Sequence, residues 1–238
     1  MKSVHIQYRF RLQGGKTERF DLRLDPRSLE VIQKTPRPLP KWTTLTYFRC
    51  PNCPLNPRIS RHCPAAVCLT QWLERFALLL SPGEVMIRVK TPWRLISIQT
   101  STRDGLASLM ELLIVVSGCP HMSFLKPLAR FHLPFGGNAE SAWHAVSAYL
   151  MLQYFRAWDG GGRIDLEGLA RHQVDMQAVH QGIAQRLGSL RCAAAKIDCA
   201  ALSGIFTERM PLAVDAFIEE IRHLFGPYLH GIRNGKYL

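Results

Sequence analysis

The chain has 238 residues, 47% of them hydrophobic, and no low-complexity run, which excludes a disordered protein and allows a sizeable buried core. Its apolar stretches around residues 69–80 and 106–116 are too short and interrupted to span a bilayer, and MKSVHIQYRFRLQGG lacks the apolar core of a signal peptide, so a cytoplasmic protein is expected. The net charge of +12 is uneven: residues 1–61 hold 13 Lys and Arg against 4 Asp and Glu, or +9, leaving +3 for the rest.

Residues 4–12, VHIQYRFRL, alternate partly, and 18–24, ERFDLRL, alternate cleanly through Phe20, Leu22 and Leu24. Joined through GGK, these read as a β-hairpin. Ser28–Ile32 reads as a third strand, KTPRPLPKW as a proline-punctuated connector, and TTLTYF at 43–48 as a strand delivering the chain to Cys50. Pro64 suits the first turn of a helix whose apolar spacing continues through Leu69, Trp72, Leu73, Phe76 and Leu80. Residues 85–91 and 94–100 read as a second hairpin turning at Pro92-Trp93. Ser101 or Thr102 caps a helix that ends at Ser117-Gly118, and a short helix covers 124–130. Helices are expected over 139–157, 165–188 and 198–224, with a loop near 189–197. The class is α+β: antiparallel hairpins, a cysteine-rich loop and a mainly helical C-terminal half. The natural division is a β-rich region, 1–48, and a remainder, 49–238, the two being compatible with one continuous domain.

Four of the seven cysteines directly precede proline: Cys50-Pro51, Cys53-Pro54, Cys63-Pro64 and Cys119-Pro120. Proline fixes its own φ and donates no hydrogen bond, so each pair sets a thiol on a stiff bend outside regular structure. Cys50 and Cys53 have the CxxC spacing that lets two thiolates converge on one ion, and Cys63 is a natural third. The candidates for a fourth ligand are Cys119, His62, His121 and Cys68. Cys119 suits it best, because it lies where a helix ends, whereas Cys68 falls within a helical pattern and reads as core. Four thiolates suit zinc, or alternatively an iron–sulfur cluster. Cys192 and Cys199 read as packing residues.

RFHLPFGG at 130–137 is a second unusual string. His132, between Phe131 and Leu133, reads as a hydrogen-bonded core residue; the sharper alternative has Arg130 and His132 lining a pocket for an anionic ligand. His172 and His180 read as a surface stripe on one helix, and Asp165, Glu167 and Asp175 as its solvated face. No GxSxG, HExxH, GxxxxGK[ST] or GxGxxG occurs, which argues against a familiar enzyme.

The strings CPNCPL at 50–55, CPAA at 63–66, GLASLMELLIVVSGCP at 105–120, LKPLARFHLPF at 125–135 and AYLMLQYF at 148–155 resemble a bacterial protein family known only as a domain of unknown function. The resemblance runs over most of the chain and implies a cytoplasmic bacterial protein whose motif cysteines are Cys50, Cys53, Cys63 and Cys119. It brings no activity. Three functions are therefore open: a metal-stabilised adaptor or regulatory protein with a protein partner, a nucleic-acid-binding protein using Arg9, Arg11, Arg19 and Arg23 of the first hairpin with Tyr8 as a stacking residue, or an iron–sulfur redox or sensor protein.

Overall fold

A computed structural model describes residues 3–32, 37–79, 83–160, 162–165, 167–190, 202–205 and 214–226. These fall into two compact units, one of residues 1–135 and 174–210 and the other of 136–173 and 211–238. The sequence division at residue 48 falls inside the first unit.

The two hairpins form as their alternation requires and join into one antiparallel sheet. Strands β1 (Val4–Arg11), β2 (Thr17–Leu24), β3 (Glu84–Lys90) and β4 (Leu95–Ser101) lie in the order β2-β1-β3-β4. The period of two puts Val4, Ile6, Tyr8, Phe10, Phe20, Leu22, Leu24, Val85, Ile87 and Val89 on one buried face. The β1–β3 pairing, with Arg9 opposite Arg88, joins strands some seventy residues apart. At the β3–β4 turn the Thr91 hydroxyl accepts from the backbone N–H groups of Trp93 and Arg94.

Three helices cover the buried face: α1 (Pro64–Thr70), α2 (Leu73–Leu79) and α3 (Thr102–Val115). Ser101 caps α3 by accepting from the Asp104 N–H, and its own hydroxyl donates to Asp104 Oδ2 at 2.6 Å. Gly105 lets α3 approach the sheet closely, since a Cβ there would lie 2.6 Å from Phe10 Cε1 and closer still to Ile87 Cδ1. At the other end Phe20 packs on Phe76 and Trp72, with the Arg75 guanidinium 4.3 Å from the Phe20 ring centre.

Three expected elements differ. The helix from Pro64 is two helices separated at Gln71-Trp72, where Thr70 donates its hydroxyl back to Ala66 O and Trp72 N–H bonds Leu69 O in a tighter turn. Ser28–Ile32 is a turn around Asp25, whose carboxylate accepts from the Arg27 and Ser28 N–H groups, leaving only one bridge, Leu24 to Val31. Residues 43–48 make no strand. After Pro40 the chain enters a 3-10 helix, Lys41–Thr43, because Thr43 donates both its N–H and its hydroxyl to Pro40 O.

Further on lie α4 (Lys126–Arg130), α5 (Asn138–Trp158), α6 (Glu167–Gly188) and a short helix, Val214–Ile221. Most of the expected loop at 189–197 and much of the expected helix 198–224 lie outside the described residues. In the second unit the Asp165 carboxylate accepts from the Gly168 N–H at the start of α6, and the Tyr149 hydroxyl donates to Asp165 O. Asp165 is therefore a cap and not merely a solvated charge. Among the described residues no single helix is long and apolar enough to cross a membrane.

Candidate metal centre

Cys50 and Cys53 sit on a tight turn closed by Cys53 N–H to Cys50 O at 3.1 Å. The Arg49 guanidinium braces it by donating to the carbonyls of Cys53 and Leu55. Asn52, between the two cysteines, donates its side-chain amide to Asp175 Oδ1 on α6 at 2.7 Å. His121 closes this set: its Nε2 donates to Asn52 O at 2.8 Å and its Nδ1 lies 3.2 Å from Asp175 Oδ2. Asp175, which alone looks like a solvated helix residue, is a half-buried tether for the loop.

Cys63 and Cys119 occupy equivalent places, each capping a helical segment that begins with proline. Cys63 is fixed by a short pairing of 43–45 with 61–63, in which its N–H donates to Thr43 O at 2.7 Å. Cys119 follows the end of α3. There Ser117 donates its hydroxyl to Ile114 O, and Gly118 adopts φ +89°, a left-handed turn that glycine makes without strain.

The four motif cysteines line one cavity, together with Pro54, Leu55, Pro64, Ala65, Pro120 and His121 and with Val179 and Ile183 of α6. Its volume is about 20 Å³, enough for a single ion or water and far too small for an organic substrate. Gly182 of α6 makes the room: a Cβ there would stand 2.5 Å from Cys50 Sγ. Burial, with the neighbouring Cys63 and Cys53 adding to it, holds the Cys50 thiol above the ordinary range, and burial pushes Cys119 up to about 11. No disulfide joins Cys50, Cys53, Cys63, Cys68 or Cys119. Among the described residues no three Cys, His, Asp or Glu side chains already stand close enough together to hold an ion.

Arg186, one turn beyond Gly182 on α6, is 1% exposed. Its guanidinium donates to the carbonyls of Trp42, Thr44 and Leu45, its Nε has no hydrogen-bond partner, and no carboxylate among the described residues pairs with it. A guanidinium keeps its proton even when buried, so the site holds a fixed positive charge with no counter-ion among the described residues. That charge favours the thiolate of Cys50.

The other fourth-ligand candidates are committed elsewhere. His121 is bonded as described, His62 Nδ1 lies 2.9 Å from Thr43 Oγ1, and Cys68 is buried within α1 and does not line the cavity. Cys192 and Cys199 lie outside the described residues. Sequence reading missed Gly182 and Arg186. The one signal for Gly182 was a glycine in mid-helix, where it costs roughly 1 kcal/mol against alanine.

An α+β protein thus takes shape around a sheet, its covering helices and a four-thiol cavity. Residues 6–226 match the family model described as Domain of unknown function (DUF6901), and the chain belongs to that family. No curated protein and no solved structure matches the chain.

The second flagged string does not form an anion pocket from Arg130 and His132. Arg130 lies over Trp93, 5.3 Å from its ring centre, whereas His132 turns inward so that Nε2 meets the Tyr8 hydroxyl at 2.6 Å, which in turn meets Ser108 Oγ at 2.8 Å. Burial, with Arg94 contributing, lowers His132 to about 4. His180 is half-buried with its Nε2 shielded from solvent, which lowers it to about 4 as well, so it is not the surface residue expected. His172 is half-buried, its ring edge-on to Tyr149 at 5.5 Å.

Two outcomes follow from these contacts. His132 is neutral when folded but takes a proton below about pH 6.5 when unfolded, so stability is intact above pH 6.5 and falls as pH drops towards 4, by up to roughly 3 kcal/mol from this residue. Denaturant titrations across that range should show His132→Gln flattening the slope, with the His180 contribution left. A double-mutant cycle tests the Gly182 contact. Gly182→Ala should destabilise the wild type by about 1–3 kcal/mol through overpacking, but should stabilise a Cys50→Ala background by about 1 kcal/mol through helix propensity.

Proposed function

We propose that this is a metal-stabilised binding or adaptor protein of the cytoplasm, in which Cys50, Cys53, Cys63 and Cys119 hold one zinc ion and the ordered surface around it meets a protein partner. The observation carrying this reading is the convergence of four cysteines, from three separate segments, on a single ion-sized cavity. Zinc–sulfur bonds of about 2.3 Å require the thiols to close further than they have here. Two features support that closure. Four thiolates around Zn²⁺ leave a charge of −2, and Arg186 supplies a buried positive charge beside Cys50 to offset part of it. His121 has both ring nitrogens engaged and His62 does not line the cavity, so the proposed ligand set is all sulfur, a closed and structural set with no open position for chemistry.

A reducing compartment keeps such thiols available for metal. The cavity's size favours one ion over a multi-iron cluster. The proposed role of the metal is architectural: it fastens the 50–53 turn, the start of α1 and the end of α3 against α6.

Protein purified anaerobically without added metal should contain about one zinc per chain by elemental analysis. Serine at position 50, 53, 63 or 119 should remove it and lower stability by several kcal/mol, whereas Cys68→Ser should retain the metal. Iron with matching sulfide and a brown colour would replace zinc by a cluster. Protein with neither metal would overturn the reading.

A further inference from the structure

The outward face of the sheet carries a charge pattern that the cysteine centre does not explain. Strand alternation places six cations there, Arg9, Arg11, Arg19, Arg23, Arg88 and Lys90, against two acids, Asp21 and Glu84. The register sets Arg19, Arg9 and Arg88 directly opposite one another across three neighbouring strands. With strands about 4.8 Å apart, this row spans roughly 10 Å. Like charges directly opposite one another destabilise a sheet, so the row works against the fold.

The acids neutralise it only in part: Asp21 pairs with Arg19 at 2.6 Å and also meets Gln7 and His5, and Glu84 accepts from Gln99. No described residue forms an ion pair with Arg9, Arg11, Arg23, Arg88 or Lys90. The strands bring no aromatic side chain to this face, because Tyr8, Phe10 and Phe20 all point into the core, and Trp93 at the β3–β4 turn packs against Phe131 and Arg130. Tyr8 is 0% exposed and is no stacking platform, which corrects the expectation drawn from its place in the hairpin.

We propose that this face binds the phosphodiester backbone of duplex nucleic acid without regard to sequence. Arginine forks match phosphate oxygens, and a row in which Arg9 and Arg88 have no acid partner among the described residues, with Arg19 beside them on Asp21, is a ready phosphate rail. A duplex suits it better than a single strand. Single strands gain about 1–3 kcal/mol per base from aromatic stacking, which this face does not offer, while a duplex presents the denser charge. Apolar side chains on this face are few, Leu95 and Trp93 at one corner and Met86 on β3 opposite Arg11, so it offers a membrane no continuous apolar surface to insert. The surface lies away from the cysteine cavity and does not depend on the metal reading.

Fluorescence anisotropy of the full chain with a mixed-sequence DNA duplex of about 20 base pairs tests this, with a single strand of equal length and phosphatidylserine-containing vesicles as further arms. Duplex affinity should exceed that of the single strand and fall with salt, with a log–log slope of about −3 to −4 for three to four phosphate contacts. The pair Arg9→Gln and Arg88→Gln should lower affinity about tenfold or more near 0.1 M salt and cut the slope by about 2. Its melting temperature should be unchanged or higher, since it relieves like-charge opposition. Lys41→Gln with Arg61→Gln, the same charge change on exposed residues elsewhere, should leave binding nearly intact. Salt-independent or undetectable duplex binding, equal loss in both pairs, or tighter binding to vesicles than to duplex would each overturn the proposal.

Discussion

In the first unit, the part of helix α6 from Val174 onward is fixed by polar contacts of two charged side chains, Arg186 and Asp175, and by one close approach at Gly182. Arg186 reaches three carbonyls of the 42–45 segment, and one turn earlier Gly182 lies flat against the Cys50 sulfur. About two turns before that, Asp175 receives Asn52 and faces His121. These three places on one helix determine where the 42–53 segment runs, and with it where two of the four motif thiols come to rest. A buried guanidinium bound only to neutral carbonyls is costly unless negative charge lies near. Cys50 of the thiol cluster lies close enough to feel that charge, and there burial otherwise favours neutral sulfur. On the proposed zinc reading, the two unfavourable terms offset each other, because the sulfurs would ionise around a cation.

The same geometry explains why the motif takes the form Cys-Pro. Each proline begins or interrupts a segment without needing a hydrogen-bond partner, so the preceding cysteine stays outside the ladder of backbone bonds yet keeps a fixed direction. Cys63 and Cys119 show this most plainly, each standing just ahead of a proline-initiated helix. Sheet and cysteine centre meet through α3. Its start packs on the sheet by way of Gly105, and its end carries Cys119 through Gly118.

What could be read in the sequence was local. The hairpins announce themselves by alternation in Phe20-Leu22-Leu24 and Val85-Ile87-Val89, and the helices by their apolar period and by Ser101 with Asp104. The β1–β3 pairing was not legible, since it depends on two hairpins meeting in space, and so the arginine row on the outer face was hidden too. TTLTYF has strand-like residues, yet Thr43 spends its hydroxyl and N–H on Pro40 O and bends the chain instead. The period of the helix from Pro64 runs on unbroken through Gln71-Trp72 because both halves bury the same side, so a hydroxyl-assisted turn leaves no mark in the pattern. The motif cysteines stood out because proline fixes geometry from the chain itself. Arg186 and Asp175 did not, because a charged residue on a helix looks solvated until a loop from far away covers it.

The central claim is that four sulfurs surround one ion. Zinc K-edge X-ray absorption on protein purified without added metal measures this shell directly. Four sulfur scatterers at about 2.3 Å, with no nitrogen or oxygen, are the predicted result. A shell containing nitrogen or oxygen, or fewer than four sulfurs, would contradict it.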